Sequence, residues 1–226
     1  MKRATSASYE YPNLECNEVG PSMKIGLVDY GMGNQRSVRN ALEALGAEVI
    51  ALRTESDAAS VGAMVLPGVG AFGAGMARIR ERGLDGILHK WVIEKGVPFL
   101  GICLGMQMIA SVGLELGEHQ GLSWIDGTVR HLAQREGLRI PHIGWNDVDG
   151  RGALYKGIPP RSAFYFVHSY CVEPLDPSVI SGSTEHGETF CSSIEYKNVF
   201  GVQFHPEKSH RHGLALLRNF LSLAHA

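Results

Sequence analysis

From Met23 onward the chain alternates two hydrophobic rhythms. Ile25-Gly26-Leu27-Val28 is a short apolar run ending in Asp29-Tyr30-Gly31-Met32-Gly33-Asn34, which predicts a buried strand and its turn. Val38, Ala41, Leu42 and Leu45 then recur at i, i+3, i+4 and i+7, one face of a helix, with Gly46 placed to end it. Residues 47–52 and 63–66 read as two further apolar strands. Leu84, Ile87, Leu88, Trp91 and Val92 form the next helical stripe, and residues 97–102 the next strand. Strands that alternate with helices predict a mostly parallel sheet covered on both faces, an α/β fold.

Past residue 120 or so the rhythm changes. Strand-like pieces at 127–132, 163–172, 178–183, 189–196 and 199–204 follow with few helices between them, so antiparallel pairing is expected in this half. A last helix, with Leu214, Leu217, Phe220 and Leu221 facing inward, closes the chain. Residues 23–226 thus read as one domain. Residues 1–22 have no period; they read as a disordered N-terminal extension, or as a start assigned upstream of Met23. Glu10, Glu15 and Glu18 speak against a plastid transit peptide there.

Composition narrows the function classes. The 21 Lys+Arg and 23 Asp+Glu leave a formal charge of −2, without the basic excess of a nucleic-acid-binding module. No apolar run reaches the ~18–20 residues of a membrane span. Cys16, Cys103, Cys171 and Cys191 form no Cys-x-x-Cys pair, which suits free thiols in a reducing compartment and a cytoplasmic protein.

The strongest chemical signal is Gly101-Ile102-Cys103-Leu104-Gly105-Met106-Gln107, where a buried strand runs through Gly-x-Cys-x-Gly into a helix. This is the pattern of a nucleophile elbow, with cysteine in the nucleophile's place. At the helix start, unpaired N–H groups favour a thiolate on Cys103, and the amide of Leu104 points toward any oxyanion beside the sulfur. A structural cysteine in a tight turn is the competing reading. About a hundred residues on, Phe204-His205-Pro206-Glu207 delivers a histidine at a strand end. His205 and Glu207, two apart in extended chain, project to one side, so the carboxylate can orient the imidazole. Cys103, His205 and Glu207 supply nucleophile, base and orienting acid. His205, His210 and His212 match no zinc spacing, and no metal is expected; His210 and His212 read as surface residues. Pro67-Gly68-Val69-Gly70 after a strand is either an ordinary turn or an anion-facing loop. Gly31-x-Gly33 lacks the third glycine of a dinucleotide fingerprint, because Arg36 stands there, so no nucleotide cofactor is expected.

Taken together these pieces resemble the class I (triad-type) glutamine amidotransferases, over essentially all of the chain from Lys24. The resemblance rests on the Asp29 turn, Leu66-Pro67-Gly68-Val69-Gly70-Ala71-Phe72, the Cys103 elbow, and His205-Pro206-Glu207-Lys208-Ser209. Pro141-His142-Ile143-Gly144-Trp145-Asn146 and Tyr165-Phe166-Val167-His168-Ser169-Tyr170 narrow it to the branch whose glutaminases serve a (β/α)8-barrel cyclase in histidine biosynthesis. The resemblance implies a flavodoxin-like sheet and no cofactor. It implies that Cys103 attacks the carboxamide of L-glutamine, with His205 as base and Glu207 behind it. Gly68, Val69, Gly70, Leu104, Gln107, Glu115, Ser169 and Tyr170 would line the substrate site, with Leu104 and the 67–70 loop forming the oxyanion hole after a peptide rotation.

It implies further that ammonia passes through an internal channel to the cyclase of a heterodimer, which makes imidazole glycerol phosphate and an aminoimidazole carboxamide ribonucleotide. Asn34, Trp145, Tyr165 and Lys208 would face that partner; a core tryptophan is the alternative for Trp145. Gln35 and Cys171 depart from the pattern beside its motifs. A paralogue feeding a surface-sugar amidine synthase, a free-standing γ-glutamyl cysteine hydrolase, and a subunit with a dead site remain as other readings; the intact Cys103, His205 and Glu207 oppose the last.

Overall fold

The computed structural model describes residues 23–224; the expectations for residues 1–22, Cys16 among them, lie outside that range. In chain order the first half holds β1 (Lys24–Val28), α1 (Gln35–Glu43), β2 (Glu48–Leu52), α2 (Glu55–Ala59), β3 (Ala63–Gly68), α3 (Phe72–Glu81), α4 (Leu84–Leu88), β4 (Phe99–Cys103) and α5 (Leu104–Met108). The second half holds β5 (Ala110–Gly113), β6 (His119–Gln120), β7 (Ile125–His131), β8 (His142–Gly150), β9 (Ser162–His168), β10 (Tyr170–Pro174), β11 (Ile180–Glu185), β12 (Thr189–Tyr196), β13 (Val199–Val202) and α6 (His210–Leu223).

Five strands, in the order β2-β1-β3-β4-β13, run parallel. The sheet continues antiparallel through β12, β10 and β7 and ends at β5 and β6, while β11, β8 and β9 branch from β12. The α/β architecture and the antiparallel second half match the hydrophobic pattern. The parallel strands send alternate residues into two cores. Ile25, Leu27, Val65, Leu100 and Val202 pack with Val38 and Leu42 of α1 and Leu216, Leu217 and Phe220 of α6. Val28, Met64, Leu66 and Phe99 pack on the other face with Phe72, Met76 and Ile79 of α3 and with Leu84 and Leu88 of α4. Burial on both faces explains why these strands are continuous apolar runs.

Three expectations need correction. The 163–172 run is two strands that part at Ser169: β9 pairs with β8, whereas β10 pairs with β7 and β12. The His168 ring bonds to the Tyr170 carbonyl across this break at 2.9 Å. Leu214 is 37% exposed and faces outward. The inward stripe is set instead by Gly213, where an added Cβ would stand 1.9 Å from the Pro206 carbonyl oxygen, followed by Leu216, Leu217, Phe220 and Leu221. The 84–92 stripe holds as a helix only to Leu88 and continues as a π-helical turn, His89–Glu94; Leu84, Leu88 and Val92 are its buried residues. No helix among the described residues is long and apolar enough to cross a membrane.

Candidate active site

Strand register gathers the site. Gly68 of β3 lies opposite Cys103 of β4, and Val202 of β13 lies opposite Ile102. The carboxyl ends of three adjacent parallel strands therefore deliver the 67–70 loop, Cys103 and the segment from Gln203 to Glu207 to one edge, the usual place for a site in such a sheet. Cys103 has φ 54° and ψ −109°, a left-handed conformation that a side chain adopts only under constraint. The constraint is close packing: a Cβ on Gly105 would stand 1.9 Å from the Leu66 carbonyl oxygen, so α5 can begin there only with glycine. Cys103 is 6% exposed, and its sulfur lies 3.9 Å from the Val167 carbonyl oxygen and 3.6 Å from Gln203 Nε2.

His205 and Glu207 are held as a pair, Nδ1 to Oε1 at 2.9 Å, with both side chains buried. The His205 N–H donates to the Tyr165 carbonyl at 2.8 Å. The hydroxyl of the buried Ser209 donates to the His205 carbonyl at 2.6 Å and accepts from the Tyr165 N–H at 3.0 Å. The histidine backbone is thus tied to β9. Burial opposes the imidazolium, but the Cys103 sulfur and the Glu207 carboxylate outweigh it and push the His205 pKa up to about 9. Such a ring favours an imidazolium beside an acceptor sulfur. Cys171 and Cys191 are different: burial pushes both thiols up to about 12.

A cleft of about 440 Å³ opens over Cys103 and His205, within the range of small-molecule sites. Val69, Gly70, Leu104, Gln107, Glu115, Ser169 and Tyr170 line it, and so do His168 and Lys208; Gly68 and Glu207 are not among its lining residues. Glu115 reaches from the loop after β5 to accept from the Phe72 N–H at 2.7 Å, so it also caps α3. Gln107 Nε2 donates to the Tyr170 carbonyl at 2.9 Å and to Gln203 Oε1 at 3.0 Å. With both amide hydrogens committed, Gln107 can offer a ligand only its acceptor oxygen. Beneath the loop, the buried Tyr30 hydroxyl donates to the Pro67 carbonyl at 3.0 Å.

A second polar chain lies behind Ser169. The Tyr170 carbonyl can only accept, so His168 Nδ1 carries the hydrogen in that contact. His168 Nε2 then accepts from His142 Nδ1 at 3.0 Å, and His142 Nε2 accepts from Asn146 Nδ2 at 3.2 Å. Burial is the main cause of a lowered pKa on both rings, about 4 for His142 and about 3 for His168. Sequence reasoning missed Gln203, Ser209 and this histidine pair, because each acts through a partner distant in the chain. Among the described residues no group of three or more His, Cys, Asp or Glu side chains could hold a metal ion.

The four residues expected at a partner surface lie outside the cleft, except Lys208. Trp145 of β8 is 48% exposed, which excludes the core reading; it stacks on His210 at 4.9 Å and meets the Tyr165 ring edge-on at 5.9 Å. Lys208 Nζ stands 5.9 Å from the Tyr165 ring centre. Asn34 caps α1, accepting from the Ser37 N–H at 3.3 Å, and Ser37 shares a groove with Lys208 and His210. His210 is exposed and His212 half-buried at the start of α6. Gln35 has a local task, donating to the Asp29 carboxylate at 3.0 Å and the Val28 carbonyl at 3.3 Å.

The family model of glutamine amidotransferase class-I matches residues 26–224. The chain belongs to the class-I glutamine amidotransferases. It is 46% identical over 198 residues to the imidazole glycerol phosphate synthase subunit HisH of Moorella thermoacetica, covering 87% of this chain and 93% of that protein. It is 47% identical over 201 residues to the subunit of the same name from Aquifex aeolicus, covering 88% and 96%. A solved glutamine amidotransferase structure superposes with a TM-score of 0.71 at 23% identity, over 89% of this chain and 99% of the other, a likeness of fold.

Proposed function

We infer that this class-I amidotransferase is the glutaminase subunit of an imidazole glycerol phosphate synthase, hydrolysing L-glutamine and passing the ammonia to a cyclase partner. The names of its relatives at 46% and 47% identity support the pathway. The observation that carries the chemistry is the meeting of Cys103, the His205 and Glu207 pair and the 67–70 loop around one cleft.

The Cys103 thiolate adds to the carboxamide carbon of glutamine, and the oxyanion that forms lies toward the amide of Leu104 and the 67–70 loop. Val69, between two glycines, can turn its peptide toward that oxygen at low conformational cost. The His205 imidazolium, oriented by Glu207, protonates the leaving nitrogen; the carbon–nitrogen bond breaks and ammonia departs from a γ-glutamyl thioester. The neutral ring then takes a proton from water, whose oxygen attacks the thioester and releases glutamate and the thiolate. Gln107, Glu115, Ser169 and Tyr170 bind the amino-acid end of the substrate.

The partner receives the ammonia and makes imidazole glycerol phosphate and an aminoimidazole carboxamide ribonucleotide. Ile143, Trp145 and Val167 are exposed apolar residues on β8 and β9, with Val69 exposed on the loop. Such a face favours a docked heterodimer over a free-standing γ-glutamyl hydrolase. Cys103→Ala should abolish glutamine-dependent synthesis by the complex and spare synthesis from ammonium salts. Loss of both activities would contradict this division of labour. Rapid glutamine turnover by the isolated chain, unstimulated by the cyclase and its acceptor ligand, would favour the free-standing hydrolase.

A further inference from the structure

Gln203 is fully buried and belongs to neither the proposed triad nor the cleft lining. Its orientation is fixed by a carbonyl at some distance from it. The Tyr170 carbonyl accepts from Gln107, which forces the Gln107 amide nitrogen to that side, and the same nitrogen meets Gln203 at 3.0 Å. A donor there requires an acceptor opposite, so Gln203 presents Oε1 to Gln107. Its own NH2 group is left to face Cys103 Sγ, at 3.6 Å. The backbone of Gln203 is held independently, its N–H donating to the Ser192 carbonyl at 2.9 Å. The amide therefore reaches the sulfur along a rigid path: β10, Gln107, Gln203, Cys103.

We propose that Gln203 is a positioning residue for the nucleophile, its side-chain N–H giving the Cys103 sulfur a second donor beside His205 and holding the thiolate at the cleft. An amide does not titrate, so this donor stays in place when His205 gives up its proton to the leaving group. The inference rests on the reading of Cys103 as the nucleophile.

The test is alkylation of residue 103 by iodoacetamide in the full chain, followed by peptide mass spectrometry from acid to alkaline pH. Cys171 and Cys191 serve as slow internal controls. Gln203→Met keeps the length but cannot donate. Its alkylation profile should rise to its plateau about one pH unit later than the parent's, since a hydrogen bond to a charged group is worth about tenfold or more in ionisation. The plateau itself should not fall, because a more basic thiolate is intrinsically the better nucleophile. A packing role alone would leave the profile in place or scale it down at every pH, and either result overturns the proposal. If Gln203→Met does not fold, Gln203→Leu, likewise uncharged and without a donor, is read in the same way. Alkylation needs no glutamine, so an unmoved profile sinks this role for Gln203 and leaves the amidotransferase reading intact. Retention of glutamine-dependent synthesis by Cys103→Ala would instead sink the nucleophile itself.

Discussion

At the scale of single residues, buried histidines are tuned in opposite directions within one site. His205 is raised from 6.5 to about 9: burial opposes its charge, but the Cys103 sulfur and Glu207 outweigh it. His142 and His168 are lowered from 6.5 to about 4 and about 3, chiefly by burial. Linkage fixes the sign of each. Between pH 6.5 and 9 the folded His205 holds a proton that the unfolded chain has lost, so its contribution is full below 6.5 and vanishes as pH rises through 9. Below 6.5 the unfolded chain binds protons that folded His142 and His168 refuse, so their contribution fades as pH falls toward 4 and 3. The urea midpoint should therefore decline on both sides of near-neutral pH, the acid decline beginning above the carboxylate range. Glu207→Gln should flatten the alkaline limb and leave the acid limb; an unchanged alkaline limb would count against the His205 assignment. Cys103, His205 and Glu207 were legible in the sequence because each sits in a short local motif. Gln203 and Ser209 were not: Gln203 meets its sulfur across a hundred residues of chain, and only the pairing of β4 with β13 brings them together.

At the scale of elements, the turn from β4 into α5 decides whether a cysteine can stand above the sheet edge. The short helix packs so tightly on β3 that its second residue must lack a side chain. Gly105→Ala should lower stability by about 1–3 kcal/mol through the forced separation of α5 from β3. Urea denaturation reads this directly, and an unchanged midpoint would show that the elbow has slack. The parallel strands could be read from sequence because burial on both faces makes them plainly apolar. Helix α3 could not: Gly73 and Gly75 dilute its period, and its first turn is capped by Glu115, far along the chain. Strand β8 was hidden for a different reason. Along His142–Gly150 exposure alternates regularly, but Ile143 and Trp145 stand at exposed positions where such a strand would show polar residues, so the hydrophobic pattern does not.

At the scale of the whole molecule, those exposed apolar residues are what the proposed docking of a partner would cover. Ile143 pairs with Val167 and Trp145 with Tyr165, so the β8 and β9 pair carries aromatic and aliphatic side chains on its open face. The same β9 anchors His205 through the Tyr165 carbonyl and Ser209 on its backbone side. A protein docked on this face would press on the strand that holds the proposed base. Interface energy concentrates in buried aromatic anchors, and Trp145, already stacked on His210, is the large aromatic of the patch. Trp145→Ala should weaken association with the cyclase at least about tenfold, an effect of hot-spot size. Its own thermal unfolding should scarcely move, because the ring is 48% exposed in the lone chain. Titration calorimetry against the purified partner separates the two effects. A large loss of stability with unchanged affinity would assign the tryptophan to the fold, and would leave the apolar face without the occupant that explains it.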